Sequence, residues 1–317
     1  MASLSLSQQS KGAYCSLGDL VALRFAANNL TLQRRNRALS MLAGPVKSNF
    51  RGRGIDFEEV RRYQPGDDIR GIDWRVTART GEAHTKLFRE ERERPVMLVV
   101  DQRNSMFFGS VRCLKSVLAC HVGSLLAWSA LNNNDRVGGL VFNDNGHVDT
   151  RPRRSRKTVL HLLSQLADFN HQLPQDDHNV DDSSSNSFSN MLSNLRRVAR
   201  PGTSIYIISD FHGANTQLAQ KHLFQLAKHN EITALYCQDP LETQLPLSGH
   251  YGVTNGKRQV HLHTGSRKLR QRYAQQHQLR LEHLTLDLQQ LGIPLIELST
   301  TEKPFTALKP YYGRQQK

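Results

Sequence analysis

No stretch of this chain reaches the roughly 18 consecutive apolar residues that a helix needs to cross a bilayer. The opening residues, 1–10, are too polar for a secretory signal, and the next apolar stretch, 17–27, is broken by Asp19 and Arg24. These absences predict a cytoplasmic protein with no membrane span. Cysteine is scarce too. The four, at 15, 113, 120 and 237, show no C-x-x-C or other metal spacing, and they read as buried thiols in a reducing compartment. None of the 14 histidines falls in an H-E-x-x-H pattern. His261 and His263 alternate on an expected strand and read as surface histidines rather than ligands. A phosphate loop is missing: the nearest piece, Gly252 to Arg258, has the wrong glycine spacing and ends in arginine. There is no G-x-S-x-G elbow, and Ser209, Asp210 and His212 stand too close in sequence to form a relay on one turn. The chain is therefore expected not to be an enzyme, with a metal-dependent hydrolase as the third-ranked function.

What the chain does have is positive charge. Lys and Arg exceed Asp and Glu by 14, which favours acidic partners. The cations form separate clusters at 34–37, 51–53, 151–157 and 257–272, none interleaved with aromatics in the manner of a base-stacking platform. A solvated basic surface is the simpler reading, and a basic nucleic-acid-binding accessory protein is the alternative function.

With 317 residues, 38% of them hydrophobic, the chain suits one large α/β domain with a smaller elaboration. Residues 17–42 read as one or two helices, stopped by Gly44 and Pro45. From 54 to 93 the pattern shifts to short extended segments with turns at Pro65-Gly66 and Thr80-Gly81, with Trp74 and Phe57 expected to anchor a small β-rich element. Apolar runs at 94–101, 136–142, 204–210, 231–236 and 293–298 read as strands, with an arm near 147–150. Helical patterns over 111–131, 155–168, 216–228 and 266–291 alternate with them, and 170–190 reads as a polar, serine-rich loop. This alternation predicts an α/β fold with a doubly wound, mostly parallel sheet. The expected organisation is an N-terminal helical segment over 1–50, the β-rich element over 51–93, the α/β domain over 94–300 and a C-terminal tail over 301–317.

Two of the apolar strands end on acids, Asp101 and Asp210, and ligands of parallel sheets gather at strand carboxyl ends. The simpler role for either acid is to cap a following helix or loop. The loop from Asp101 to Met106 resembles the Asp-x-Ser-x-Ser loop of von Willebrand factor A domains, whose metal-ion-dependent adhesion site bridges to an acidic group on a partner. By that resemblance Asp101, Ser105 and Asp210 match metal-ligand positions. The middle-loop threonine has no counterpart, and the serine run at 183–189 is where a substitute hydroxyl is expected. Arg103, however, stands where the resembling loops carry a hydroxyl. A guanidinium has no lone pair to offer. Held about 5 Å from a divalent ion at an effective dielectric near 20, it would cost roughly 7 kcal/mol as an upper bound. The expectation is a degenerate site with no cofactor beyond weak magnesium binding, in which Arg103 neutralises Asp101 or Asp210. Asp101, Arg103, Ser105 and Asp210 would line a partner-binding crevice.

A second block sharpens the resemblance. It runs from Arg51 to Tyr63, through Gln64-Pro65-Gly66-Asp67-Asp68-Ile69-Arg70-Gly71-Ile72-Asp73-Trp74-Arg75, then Ala78-Arg79-Thr80-Gly81 and 86–92. This series looks like bacterial domain-of-unknown-function family fifty-eight, proteins with a von Willebrand A-like domain associated with MoxR-type AAA+ ATPases. The resemblance covers residue 39 to the end. It implies a von Willebrand A-like fold and an interaction protein that serves a MoxR-type ATPase in the assembly or maturation of protein complexes. Gly66, Asp67, Asp68, Asp73, Trp74 and Arg75 form a structural signature. Their acids read as turn and salt-bridge groups rather than a catalytic cluster.

Overall fold

In the computed structural model, residues 11–32, 53–64, 69–89, 95–172, 183–254 and 259–314 are described. They divide into a larger unit, residues 1–46 with 94–317, and a smaller one, residues 47–93. In the larger unit Leu17–Ala22 (α1) and Arg24–Ala27 (α2) precede Pro95–Asp101 (β3), Lys115–Asn132 (α4), Arg136–Phe142 (β4), His147–Arg153 (β5) and Arg156–His171 (α5). Ser183–Val198 (α6), Ser204–Ser209 (β6), Gln217–His229 (α7), Glu231–Gln238 (β7) and Pro240–Thr243 (α8) follow. His250–Thr254 (β8) and Gln259–His263 (β9) pair as an antiparallel hairpin before Arg267–Gln290 (α9), Leu295–Ser299 (β10) and Pro304–Tyr312 (α10).

Six strands form one sheet in the order β10-β7-β6-β3-β4-β5, parallel except for β5, which runs antiparallel along β4. Both faces are covered, which is why β3 reads as an unbroken apolar run. Val96, Leu98 and Val100 join one core with α1, α2, α4, α5 and α10, while Met97 and Val99 join another with α6, α7 and α9. α4 is buried from Lys115 to Ala130, so its lack of a polar face is the mark of a central helix.

Two segments differ from the sequence expectation. The polar loop expected over 170–190 gives way to helix α6 from Ser183, whose Phe188, Met191, Leu192 and Leu195 recur at helical spacing and are buried. The serines conceal a period that is present in the sequence. Residues 301–317, set apart above as a tail, include α10, which begins on Pro304 and buries Leu308 and Tyr312.

In the smaller unit Arg53–Arg62 (β1) pairs antiparallel with His84–Arg89 (β2), with a register irregularity between Phe57 and Glu59. Between them lies a helix, Trp74–Thr80 (α3), where only extended segments were expected. Its signals are capping ones. Asp73 Oδ1 accepts hydrogen bonds from the backbone N–H of Arg75 and Val76, at 3.0 and 3.2 Å, and Gly81 closes the helix at φ 74°. Trp74 sits at the first helical position and is 69% exposed, which corrects its assignment as a buried anchor. Gly66, Asp67 and Asp68 lie outside the described residues, as does the side chain of Phe57.

The bend of β4 against β5 depends on glycine. A Cβ at Gly138 would strike the Thr150 carbonyl oxygen and come within 2.6 Å of Pro152 N, both backbone atoms that cannot swing away. Gly138→Ala is expected to destabilise the protein by about 1–3 kcal/mol in urea unfolding.

Candidate functional site

The chain leaves β3 for β4 on one side and later returns to β6 on the other. Numbered within the sheet this is the doubly wound order 3-2-1-4-5-6, and the carboxyl ends of β3 and β6 flank the topological switch point. Asp101 ends β3 and is wholly buried. Ser209 ends β6 and donates its hydroxyl to Asp101 Oδ2 at 2.6 Å, while accepting the Phe211 N–H at 2.9 Å. Phe211 holds φ 53°, a conformation uncommon outside glycine, and the turn it makes follows directly on Asp210.

Arg103 fills the space between the two acids. Its backbone N–H donates to Asp101 Oδ1 at 2.9 Å, Nε to both carboxylate oxygens at 3.0 and 3.1 Å, and Nη2 to Oδ2 at 2.6 Å. Nη2 also reaches Asp210 Oδ1 at 3.4 Å, and Nη1 donates to the His212 carbonyl at 3.0 Å. The guanidinium carbon lies 5.4 Å from the ring centre of Phe142 and 5.3 Å from that of Phe188, within cation–π range of both. No part of the Arg103 side chain is exposed. A second cation completes the network. Lys115, at the first position of α4, donates from Nζ to Asp210 Oδ2 at 3.2 Å and to Glu242 Oε1 at 2.6 Å.

Glu242 Oε2 in turn accepts the Asp239 N–H at 3.0 Å. The Asp239 carboxylate takes hydrogen bonds from Ser110 and from Thr300, tying together the ends of β7 and β10. Three carboxylates, Asp101, Asp210 and Glu242, thus make direct contact with the two cations, and Asp239 adds a fourth beside them, held by hydroxyl and backbone donors.

Burial opposes every one of these charges, and partners decide the outcome. At Asp210 burial is the largest influence and raises the carboxyl, yet Lys115 and Arg103 outweigh it and hold the group well below the usual carboxylate range. Burial raises Asp101 above its ordinary value, and Arg103 offsets only part of that rise. Arg103 N, Nε and Nη2 and the Ser209 hydroxyl all donate to its two oxygens, an arrangement that favours the carboxylate form. Burial lowers Arg103 and Lys115, but Asp101 lifts the guanidinium and Asp210 with Glu242 lifts the ammonium, each above its ordinary value.

The structure therefore brings Asp101, Arg103 and Asp210 into direct contact. Ser105 Oγ is buried beside Asp210, near enough to steady its charge but without a hydrogen bond of normal geometry. Of the serine run expected to supply a ligand, Ser187 Oγ reaches Asp144 at 3.5 Å and Ser189 Oγ lies 3.1 Å from Thr216 Oγ1, while the side chains of residues 183–185 lie outside the described ones. These residues do not fit a divalent cation, because guanidinium and ammonium already occupy the carboxylate oxygens a metal would need. Among the described residues no group of three or more His, Cys, Asp or Glu side chains is arranged to hold a metal ion. His250 and His263 pack edge to face across the β8–β9 hairpin, 4.4 Å between ring centres, while His261 faces Gly252.

Sequence reasoning missed Lys115, Ser209, Phe142, Phe188 and Glu242. Lys115 was the most legible of these, as a lone charge opening an otherwise apolar helix. Glu242 left a fainter trace, since it stands three residues after Asp239 in a capping box.

The sequence pattern of the family described as "Protein of unknown function DUF58" matches residues 59–282. The uncharacterized protein Rv1480 of Mycobacterium tuberculosis H37Rv is 30% identical over 231 residues, 72% of this chain and 70% of that one. The uncharacterized protein YeaD of Bacillus subtilis 168 is 37% identical over 73 residues, 22% of this chain and 18% of that one. Among solved structures, the conserved hypothetical protein BatB from Bacteroides thetaiotaomicron is 15% identical with a TM-score of 0.37, covering 62% of this chain and 98% of that one. An aerotolerance-related membrane protein from Bacteroides fragilis is 15% identical with a TM-score of 0.42, covering 68% and 95%. A membrane spanning protein from Vibrio fischeri is 16% identical with a TM-score of 0.20, covering 60% and 96%. The cytoplasmic expectation is corrected here, because two of these structural neighbours are described as membrane proteins. No helix among the described residues is long and apolar enough to cross a membrane, but that absence assigns no compartment.

Lys115→Met should leave Asp210 short of a partner and lower the unfolding free energy by about 3–5 kcal/mol, read from urea melts. Because Asp210 titrates lower folded than unfolded, its stabilisation is complete above the unfolded carboxyl value near pH ~4 and is lost as pH falls below it. The stabilities of wild type and Asp210→Asn should accordingly converge as the pH is lowered through that range.

Proposed function

This chain belongs to the DUF58 family of proteins of unknown function, and from the strand-end network we propose that it is a non-enzymatic interaction protein with a von Willebrand A-like fold. It works with a MoxR-type AAA+ ATPase in the assembly or maturation of protein complexes. The fold assignment within the α/β class rests on the resemblance of the loop from Asp101 to Met106, together with the doubly wound strand order and its antiparallel edge strand β5. The ATPase partner rests on family resemblance.

The observation that carries the non-enzymatic reading is the occupation of the switch point. General acid–base catalysis works best with groups that titrate near the operating pH. Here Asp210 is held far below that region, Arg103 and Lys115 are held far above it, and all three are committed to one another. The chemistry that such a crevice could run is replaced by an internal ionic clamp.

Asp101 and Arg103 are out of a partner's reach, so recognition falls to the loops that the clamp positions. The loop after β3 is fastened by Lys115 N–H to the Phe108 carbonyl at 2.8 Å and by Ser110 N–H to Asp239 Oδ2 at 2.8 Å. It presents Phe108 and Val111 to solvent, with 39% and 65% exposure. Apolar side chains held outward on a fastened loop suit a protein partner better than a small polar substrate.

Calorimetric titration with the MoxR-type ATPase of the same organism tests this. Val111→Asp is expected to weaken binding at least about tenfold, the cost of ~1.4 kcal/mol, with an unchanged melting temperature. An affinity untouched by Val111→Asp and Phe108→Asp would remove the strand-end loops from the interface. No binding by the unmodified chain would remove the ATPase.

A further inference from the structure

Outside the strand-end network, the outer side of the first two helices is a surface that the fold leaves unexplained. α1 and α2 bury Leu20, Leu23 and Ala27 in the core shared with α4. One such stripe is all that a helix lying on a domain needs. A second apolar row, Leu17, Val21 and Phe25, repeats every four residues; Val21 still packs against that core, while Leu17 and Phe25 stand out from it into solvent. Leu17 is 40% exposed and Phe25 54%, and Tyr14, in the non-helical segment before the Ser16 cap, is 42% exposed. Leu17, Gly18, Val21 and Phe25 floor a shallow depression of about 410 Å³, rimmed by Arg24 and Arg156. Gly18 has no internal reason to be glycine. A Cβ there would meet only Ser16 Oγ, at an ordinary 3.6 Å, although glycine weakens the helix.

The charged side chains lining the depression are of one sign, and the nearby acid, Asp19, is turned back onto Ser16 in the capping box of α1. Arg24 lies over the Phe25 ring at 5.0 Å. Arg156 and Lys157 occupy the first turn of α5, where the helix dipole disfavours cations, and Ser155 makes no side-chain cap there to offset them. Arg153, Arg156 and Lys157 are exposed and form no ion pair among the described residues. No carboxylate lines the depression. Uncovered aromatic and aliphatic side chains protrude from a surface helix, next to cations kept where their own helix opposes them.

We propose that this face docks on an anionic lipid bilayer. Phe25, Leu17 and Tyr14 enter the boundary between headgroups and acyl chains, and Arg24, Arg156 and Lys157 meet lipid phosphates. A bilayer suits this surface better than a protein groove-binder, since the depression is shallow and its apolar side chains stand outward. The docking is independent of the ATPase reading, which concerns the opposite requirement of a protein partner at the strand ends.

Sedimentation of the full-length chain with phosphatidylcholine vesicles, with and without phosphatidylglycerol, tests it. Binding is expected only when phosphatidylglycerol is present and should weaken with salt. Phe25→Asp should lower partitioning about tenfold and Arg156→Glu about thirtyfold. Both changes are at exposed positions and should leave the melting temperature unchanged. Undiminished binding by Phe25→Asp would mean adsorption through net charge alone and would overturn the proposal. So would indifference to phosphatidylglycerol vesicles, and capture of an acidic leucine–glutamate helical peptide by a chain that ignores the vesicles would assign the face to a protein instead.

Discussion

A guanidinium and an ammonium held out of water at the carboxyl edge of the sheet decide how the strand ends are built. Taking either charge from water costs several kcal/mol, so neither survives there without near-complete compensation. That requirement explains the local architecture. Asp101, Asp210 and Glu242 come from three different elements, Ser209 turns its hydroxyl inward, and two aromatic rings close over Arg103. The left-handed turn at Phe211 belongs to the same arrangement, since it directs the His212 carbonyl to Arg103 Nη1.

The clamp links packing to function by subtraction. At the switch point of a doubly wound sheet, a crevice ordinarily offers unpaired polar groups to a ligand. Here those groups are spent on one another, and the loops they anchor become the accessible feature. The two cations also tie β3, β6 and the segment after β7 into one charged unit. A change at any member should be felt by the others, in contrast to the near-independence of distant core substitutions.

Much of the central fold was legible because both faces of the sheet are buried. β3 and β6 read as continuous apolar runs ending on Asp101 and Asp210, and the meeting of those two acids with Arg103 could be anticipated from topology and charge. Other features depended on information that apolar patterning does not carry. The serines of α6 obscure the spacing of Phe188, Met191, Leu192 and Leu195. α3 is announced only by the caps Asp73 and Gly81, and although Lys115 and Glu242 each leave a local trace, nothing in either segment says that the two meet. Trp74 misled because size and aromaticity suggest burial, whereas its place at the start of a short helix turns it to solvent.

The central claim is that Arg103 and Asp101 exist for each other, so that either alone is a burden. A double-mutant cycle on stability isolates that coupling from the packing each side chain also provides. The measurement is urea unfolding of wild type, Asp101→Asn, Arg103→Met and the double variant. The account predicts that Arg103→Met alone costs about 3–5 kcal/mol, and that the double variant is more stable than the sum of the single losses implies by at least about 1.5 kcal/mol. Strictly additive losses would contradict it, and would show that the two buried charges do not depend on one another.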